Sequence, residues 1–221
     1  MIQSEKFWDK NADLYSKSPV KNKVDYQKKL EVTRGYFQPH TKLFEFACGT
    51  GSTAISHASY VDNVLAIDIS SNMLAIAKEK ANAAGVENVS SQQSAIEDFN
   101  QLDEPSDIVM GHSIIHLLEA PDAVIAKAYN LKKFGGVFVT NTVFLGDSKI
   151  PWKPLIAVAK MFGIAPDGVT ILKQDQLEEL FFKAGFAIDY RLEPGETEGI
   201  FKGVFIILKK PLIKTNCINP R

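Results

Sequence analysis

Short apolar runs alternate along the chain with longer segments in which apolar residues recur at helical spacing. Strand-like runs, most of them apolar, predict seven strands, at residues 42–47, 63–68, 87–92, 106–111, 136–143, 186–193 and 200–208. The helical spacing predicts two helices within residues 4–38, broken at Ser18-Pro19, and further helices at 52–60, 71–84, 95–100, 119–132 and 174–184. Strands that alternate with helices are typical of a parallel sheet covered by helices on both faces.

Glycines mark the ends of several predicted elements. Gly85, the pair Gly135-Gly136 and Gly185 each follow a helical segment, where glycine commonly stops a helix. A short turn at residues 194–199 joins the last two strands, so we expect these strands to form an antiparallel pair.

The pattern predicts one domain over residues 1–210. Prolines at 151, 154 and 166 interrupt the rhythm of strands and helices and indicate an insert. The expected parts are a helical cap (1–38), a cofactor-binding core (39–143), a cap insert (144–173), a terminal helix with its hairpin (174–210) and a tail (211–221).

Composition narrows the class of protein. The chain has 221 residues, a net charge of −1, 45% hydrophobic and 23% charged residues, which suits one α/β domain. Because there is no strong basic field, nucleic-acid binding is not expected. Cys48 and Cys217 are far apart and suggest no metal site, and such cysteine usage suits a reducing cytoplasm. We expect neither a signal peptide nor a membrane span, since Lys160 interrupts the longest apolar stretch.

A glycine turn follows the first predicted strand of the sheet. Residues 49–54 match the pattern G-x-G-x-x-A, and Asp68 ends the next strand, nineteen residues after Gly49. Glycines let the backbone approach a ligand closely, and an acid at this distance can accept hydrogen bonds from ribose hydroxyls. This corner predicts nucleotide binding, but the spacing fits both a dinucleotide and S-adenosylmethionine.

Three features favour S-adenosylmethionine over a nicotinamide dinucleotide. Glu45 is an acid within the first strand, and a buried carboxylate suits a cationic ligand better than a pyrophosphate. Tyr129 and Lys133 resemble the catalytic pair of short-chain dehydrogenases, but they lie at the wrong edge of the sheet for a ligand, which binds at the carboxyl ends of strands. The antiparallel ending is also unlike a second mononucleotide-binding half.

Four ordered segments resemble the successive motifs of class I S-adenosylmethionine-dependent methyltransferases. These segments are residues 45–51, 66–74, 107–110 and 131–137. The similarity is closest to the small-molecule branch that includes ubiquinone and menaquinone methyltransferases, and it covers residues 40–143 well and the terminal hairpin loosely. Phe134 departs from the family, which commonly has proline before the two glycines, and this should affect only the turn. The resemblance implies a Rossmann-like three-layer sandwich with a seven-stranded, mostly parallel sheet that ends in an antiparallel hairpin, plus an N-terminal helical cap.

The resemblance also implies a site for S-adenosyl-L-methionine, whose product is S-adenosyl-L-homocysteine. The residues at matching positions that would contact the cofactor are Tyr15, Glu45, Cys48, Gly49, Gly51, Asp68, Ile69, Met73, Ser94, Ala95, Ile96, His112 and Ser113. Asp68 would bind the ribose, Ile69 and Met73 would contact the adenine, and Tyr15 would reach the carboxylate from the cap. No metal is implied.

Two histidines are candidates for catalysis. Methyl transfer is an in-line displacement, so a protein mainly aligns the reactants and needs a base only when the nucleophile keeps its proton. His112 and His116 follow the fourth strand and titrate in the useful range. Either ring has an alternative role, since His116 can pack among apolar neighbours and His112 can contact the cofactor.

The acceptor is predicted to be a small molecule, largely by elimination. Gly111-His112-Ser113 stands where amino-methylating DNA enzymes have a proline-rich motif, and neither cysteine follows proline as in cytosine C5 enzymes. The candidate acceptor wall consists of Trp8, Trp152, Met161 and Phe162, although such residues often pack in cores instead. The alternatives are an NAD(P)-dependent oxidoreductase and a non-catalytic S-adenosylmethionine-binding or scaffold protein. The protein is expected to be a monomer or a homodimer.

Overall fold

The computed structural model describes residues 2–20, 22–100, 102–193 and 202–211. Its helices are α1 (Ile2–Lys17), α2 (Lys23–Arg34), α3 (Ser52–Ala58), α4 (Ser71–Ala83), α5 (Pro121–Leu131), α6 (Trp152–Met161) and α7 (Gln174–Lys183). Its strands are β1 (Lys42–Phe46), β2 (Asn63–Asp68), β3 (Val89–Gln93), β4 (Ser106–His112), β5 (Lys132–Phe144), β6 (Ala187–Leu192) and β7 (Lys202–Lys209). A 3₁₀ turn at Ile115–Leu117 follows β4.

The seven strands form one sheet in the order β3-β2-β1-β4-β5-β7-β6. Parallel pairing joins the first five strands in this order, whereas β7 is antiparallel to both β5 and β6. The predicted seven-stranded, mostly parallel sheet with an antiparallel ending is therefore confirmed. Because β1 lies between β2 and β4, the carboxyl ends of these strands meet at one edge of the sheet, where open α/β sheets bind ligands.

Apolar side chains on the two faces of the sheet form two buried clusters. Phe44, Phe46 and Phe138 are fully buried on one face, against helices α5 and α7. Leu43, Val64 and the alternating residues of β4 form the second cluster. Strands that are buried on both faces read as continuous apolar runs, which is why the strand positions could be predicted.

Helix α1 is fastened to α4 beside the carboxyl end of β2. The Asp9 carboxylate accepts hydrogen bonds from the Ser70 hydroxyl (2.6 Å) and from the Asn72 backbone N–H (3.1 Å). The Asn72 side chain donates to the Asp9 carbonyl at 3.2 Å. These bonds hold α1 over the edge of the sheet where the glycine turn lies.

Two local predictions are wrong. Residues 95–100 form a single turn and not a helix, because Phe99 donates one backbone bond to Ala95 and then stacks on Phe44 in the core. The Gly135-Gly136 pair does not stop a helix. Helix α5 already ends at Leu131, since Lys132 pairs with Ser106 in the sheet, and the residues up to Val137 form an irregularity in the ladder.

Some predictions lie outside the described residues. These are the turn at 194–199, most of the tail at 211–221, and Cys217. Within the predicted insert, the structure forms α6 and no strand after Phe144. No helix in the described part of the chain combines the length and apolarity that crossing a bilayer requires.

Candidate active site

A cavity of about 660 Å³ opens at the carboxyl edge of the sheet, beneath α1. Ten of the thirteen residues predicted to contact a cofactor surround it: Tyr15, Gly49, Asp68, Ile69, Met73, Ser94, Ala95, Ile96, His112 and Ser113. They come from α1 and from the segments that follow β1, β2, β3 and β4, so the parallel sheet brings together residues that are far apart in sequence. Their roles toward a cofactor remain predictions.

The glycine turn has the backbone geometry that the sequence suggested. Gly49 and Gly51 adopt φ values of 54° and 72°, a region that favours glycine. A Cβ on Gly51 would lie 2.8 Å from the Cβ of Ala77 in α4, so no side chain fits there. A Cβ on Gly49 would lie 3.6 Å from the Tyr15 ring, which covers the turn from the cap side.

Asp68 joins the two loops that frame the cavity. One carboxylate oxygen accepts from the Gly49 N–H at 2.8 Å, and the other accepts from the Ser70 N–H at 2.9 Å. Burial raises the pKa of Asp68, while these backbone bonds oppose the rise. Each oxygen keeps a further lone pair, so Asp68 can also accept from a ligand hydroxyl.

Glu45 lies in the middle of the sheet and does not line the cavity. It is 2% exposed, and its Oε2 has no hydrogen-bond partner among the described residues. Burial raises the pKa of Glu45 to about 8. Burial, followed by the charges of Asp68 and Glu45, also raises the pKa of the Tyr15 hydroxyl, so both acids act on the glycine-turn end of the cavity.

Cys48 and Gly51 likewise lie behind the cavity wall. Cys48 is a buried free thiol, and burial raises its pKa well above the usual range. Gly51 begins α3 and packs against α4. The structure therefore gives these two residues, with Glu45, a supporting position beneath the turn, one layer away from the cavity.

His112 and His116 both line the cavity. Burial lowers the pKa of each ring to about 4, with a smaller contribution from Lys29 for His112. The His112 ring stacks on Phe205 with centroids 6.3 Å apart, and Nδ1 of His116 lies 3.1 Å from the Thr142 hydroxyl. Both rings are therefore neutral near pH 7, and the Thr142 hydroxyl orients the His116 ring by a hydrogen bond whereas Phe205 contacts the His112 ring by stacking.

The structure places one of the four residues predicted to form the acceptor wall at the cavity. Trp8 lines the cavity, whereas Trp152, Met161 and Phe162 do not. Met161 and Phe162 are 73% and 67% exposed on and after α6. The structure does not bring these three residues to the cavity: Met161 and Phe162 face solvent, and Trp152 is half-buried on α6 outside the cavity lining.

Several lining residues were not predicted. They come from α1 and the residue after it, from the segments after β1, β3 and β4, and from the loop after α6: Ser4, Phe7, Asn11, Leu14, Ser18, Ala47, Glu97, Ile114, Leu117, Leu118, Glu119, Ala120, Pro166 and Gly168. The apolar face of α1 was visible in the sequence, but whether it packs on the core or covers a cavity depends on where Asp9 fastens the helix.

Charge around the cavity has one sign. Among the described residues that line it, the charged side chains are Asp68, Glu97 and Glu119, and there is no lysine or arginine. Buried Glu45 lies beneath the glycine turn and, because burial raises its pKa to about 8, is mostly protonated near neutral pH. Such a site suits a ligand that carries positive charge and is unfavourable for a pyrophosphate.

Comparison with known proteins identifies similar sequences. A family model described as a methyltransferase domain matches residues 37–181. Demethylmenaquinone methyltransferase of Leptospira interrogans is 29% identical over 136 residues, covering 59% of this chain and 53% of that protein. The tRNA 5-carboxymethoxyuridine methyltransferase of Escherichia coli K12 is 29% identical over 98 residues, covering 43% of this chain and 38% of that protein. The chain spans between 24% and 53% of the length of the curated relatives it matches.

Solved structures share the fold. Magnesium protoporphyrin IX methyltransferase from Synechocystis PCC 6803, crystallised with bound SAH, aligns with a TM-score of 0.69 at 15% identity. The alignment covers 94% of this chain and 97% of that one. At this identity the likeness concerns the architecture of the sheet and its helices.

Proposed function

Because this chain belongs to the methyltransferase domain family, we propose that it transfers a methyl group from S-adenosylmethionine to a small apolar acceptor. The observation that carries this proposal is the single sign of charge around the cavity. A site whose charged lining residues are all acidic favours a ligand with a sulfonium and an ammonium group. The same charges disfavour a phosphorylated ligand.

The residues present fit this cofactor. The Gly49–Gly51 turn leaves room for close backbone approach, and Asp68 can accept from ribose hydroxyls while it holds the Gly49 and Ser70 amides. The unpartnered oxygen of Glu45 lies beneath the turn, where a cationic ligand would favour the ionised form of this carboxyl. When bound, S-adenosylmethionine supplies a methyl group on a positively charged sulfur.

The chain's own contribution to the reaction is alignment and exclusion of water. Helix α1 covers the cavity, and its Phe7, Trp8 and Leu14 present apolar surface to an acceptor. Holding two reactants in line can contribute on the order of 7–11 kcal/mol to lowering a barrier. Apolar walls also disfavour a highly charged acceptor, which argues against a nucleic acid.

His116 is the residue we assign as a base for acceptors that must lose a proton. We place the ring proton on Nδ1, where it donates to the Thr142 hydroxyl, so that Nε2 is left to accept. The depressed pKa keeps the ring neutral near pH 7. His112, stacked on Phe205, is assigned to contact with the cofactor and is the second candidate for the base.

The oxidoreductase alternative finds no support in the geometry. Tyr129 packs edge-to-face on Phe186 at 5.0 Å, and Lys133 forms an ion pair with Asp107 at 3.2 Å. Both residues are described, and neither lines the cavity. A non-catalytic binding protein would bind S-adenosylmethionine without transferring its methyl group, so a turnover assay distinguishes this alternative from an enzyme.

Calorimetric titration with S-adenosylhomocysteine and, separately, with NADH tests the cofactor. We expect binding of S-adenosylhomocysteine and none of NADH. The proposal fails if S-adenosylhomocysteine does not bind at millimolar concentration. Methyl-donor turnover with panels of small aromatic and apolar acceptors, with transfer RNA as a comparison, then identifies the acceptor class.

We also propose that the enzyme works in the cytoplasm. Cys48 is a free thiol within the core, which suits a reducing compartment. Fractionation of cells that express the tagged chain measures this directly.

A further inference from the structure

Helix α6 and the turn after it present an apolar face to solvent. Leu155 and Val158 are 50% and 53% exposed, and Met161, Phe162 and Ile164 are 67–73% exposed. These five residues, here called the α6 surface, are five of the twelve large apolar side chains that are exposed in the described part of the chain. Contiguous exposed apolar surface of this kind marks an interaction site.

Helix α6 carries apolar residues on its outward side as well as on its inward side. Leu155, Val158 and Met161 follow one another at helical spacing on the outward side. The half-buried residues Ile156 and Ala159 lie on the opposite side, toward the protein. Trp152, the largest apolar residue of α6, is also half-buried, so the helix has one apolar side toward the protein and a second one, with Leu155, Val158 and Met161, toward solvent.

Positive charge accompanies this apolar face. Residues 148–166 contain Lys149, Lys153 and Lys160, and the acids nearest in sequence, Asp147 and Asp167, lie directly outside this range. Lys149 and Lys153 are exposed. The Lys160 ammonium donates to the Asp167 carbonyl.

We propose that the α6 surface docks on a lipid bilayer that carries anionic headgroups. Apolar side chains flanked by lysines, with no acid among them, match the interface between acyl chains and negative headgroups. A second copy of the chain is a poorer occupant, because a twofold contact through this face would bring the lysines of both copies together.

The loop after α6 connects this surface to the cavity. Pro166 and Gly168 line the cavity, and a Cβ on Gly168 would lie 2.1 Å from the Leu117 carbonyl, so the loop backbone packs directly on the turn after β4. Resting on the proposed function, we infer that the acceptor is lipophilic and enters the cavity from the bilayer beside this loop.

Sedimentation with vesicles tests the docking. The wild-type chain is expected to sediment with phosphatidylcholine vesicles that contain phosphatidylglycerol, and to remain mostly in the supernatant with phosphatidylcholine alone. The double variant Leu155→Glu/Val158→Glu is expected to lose at least about tenfold in partitioning. The matched control is Val24→Glu/Phe182→Glu, which adds the same charge at exposed apolar positions elsewhere and should partition like the wild type.

The outcomes separate the alternatives. Equal partitioning of the wild type and Leu155→Glu/Val158→Glu, or no partitioning of the wild type, overturns the proposal. A wild-type dimer by light scattering that this variant converts to a monomer, without vesicle binding, assigns the face to contact between copies and also overturns it. If the variant does not fold, Lys149→Glu/Lys153→Glu at exposed lysines is measured in its place, with the same expected loss.

S-adenosylhomocysteine binding is measured on the same samples. Vesicle docking without S-adenosylhomocysteine binding would refute the proposed function and leave the docking surface standing. S-adenosylhomocysteine binding without vesicle docking would refute the docking surface and leave the proposed function standing.

Discussion

At the scale of single residues, Asp68 combines two tasks. Its two oxygens hold the amides of Gly49 and Ser70, which fixes the spacing of the two loops, and it also faces the cavity. Alanine at this position would leave both amides without their acceptor, so a change that keeps the shape is a sharper test of ligand binding.

We expect Asp68→Asn to weaken S-adenosylhomocysteine binding by about tenfold or more, because the carboxamide keeps one acceptor oxygen, so that the ribose hydroxyls and one of the two backbone amides lose a charged acceptor. Calorimetry measures the dissociation constant. Asp62→Asn, at a half-exposed carboxyl away from the cavity, is the control and should bind like the wild type. Unchanged affinity in Asp68→Asn would remove this carboxylate from the ligand site.

The partner of His116 gives a second test at this scale. Thr142→Val removes the hydroxyl next to Nδ1 while keeping the side-chain shape, and should lower kcat by about five- to tenfold with little change in KM. His116→Gln should lower kcat by about 100-fold or more if His116 is the base. His40→Asn, at an exposed histidine with φ of 64°, is the control. Equal kcat values in all three variants would exclude His116 from proton transfer.

At the scale of elements, α1 acts as a cover whose attachment is concentrated at Asp9. Asp9→Ala removes the acceptor for the Ser70 hydroxyl and the Asn72 amide, so α1 should exchange its amide hydrogens faster over residues 2–17. Hydrogen exchange by mass spectrometry measures this, with Asp13→Ala on the exposed side of α1 as the control. Protection equal to the wild type would show that other contacts hold the helix.

Elements of the sheet could be predicted from the sequence, whereas the details of loops could not. Buried strands such as β1 are apolar runs in the sequence and can be predicted from it. The spacing of Gly49, Gly51 and Asp68 likewise indicates a strand–turn–helix–strand unit. By contrast, Phe99 converts a helical pattern into one turn because its ring stacks on Phe44 in the core. Such tertiary contacts override local preference and have no local signal.

The same limit applies to the site. Residues at strand ends converge because of the topology, which the sequence revealed, and ten of the predicted cofactor residues do surround one cavity. The wall contributed by α1 and by Pro166 depends on how segments outside the sheet dock. The direction in which α6 faces, and therefore the position of Met161, could not be read from an amphipathic pattern alone.

At the scale of the whole molecule, Glu45 links stability to pH. Its pKa is about 8 in the folded protein and 4.5 for an unperturbed side chain, so between these pH values the native state holds a proton that the unfolded chain has lost. Stability from this group is therefore fully present below pH 4.5 and is lost as the pH rises to 8.

We expect Glu45→Gln to remove this loss. The free energy of unfolding of the wild type, measured by urea denaturation from pH 5 to 8, should fall relative to the variant by up to about 1.4 kcal/mol per pH unit. Glu87→Gln, at an exposed carboxyl, should keep the wild-type slope. Parallel curves for the wild type and Glu45→Gln would show that the carboxyl does not change its protonation on folding.

The cavity has a floor, formed by the ends of the sheet strands, and a roof, formed by α1 and the loops. This division affects how the protein can diversify. The floor belongs to the sheet, where a changed side chain disturbs packing on both faces. Much of the roof belongs to α1, which is held by a few polar bonds, and to short loops that carry little of the core. Substitutions in the roof can therefore accumulate at small cost to folding, and a lineage can adopt a new acceptor while it inherits the floor unchanged.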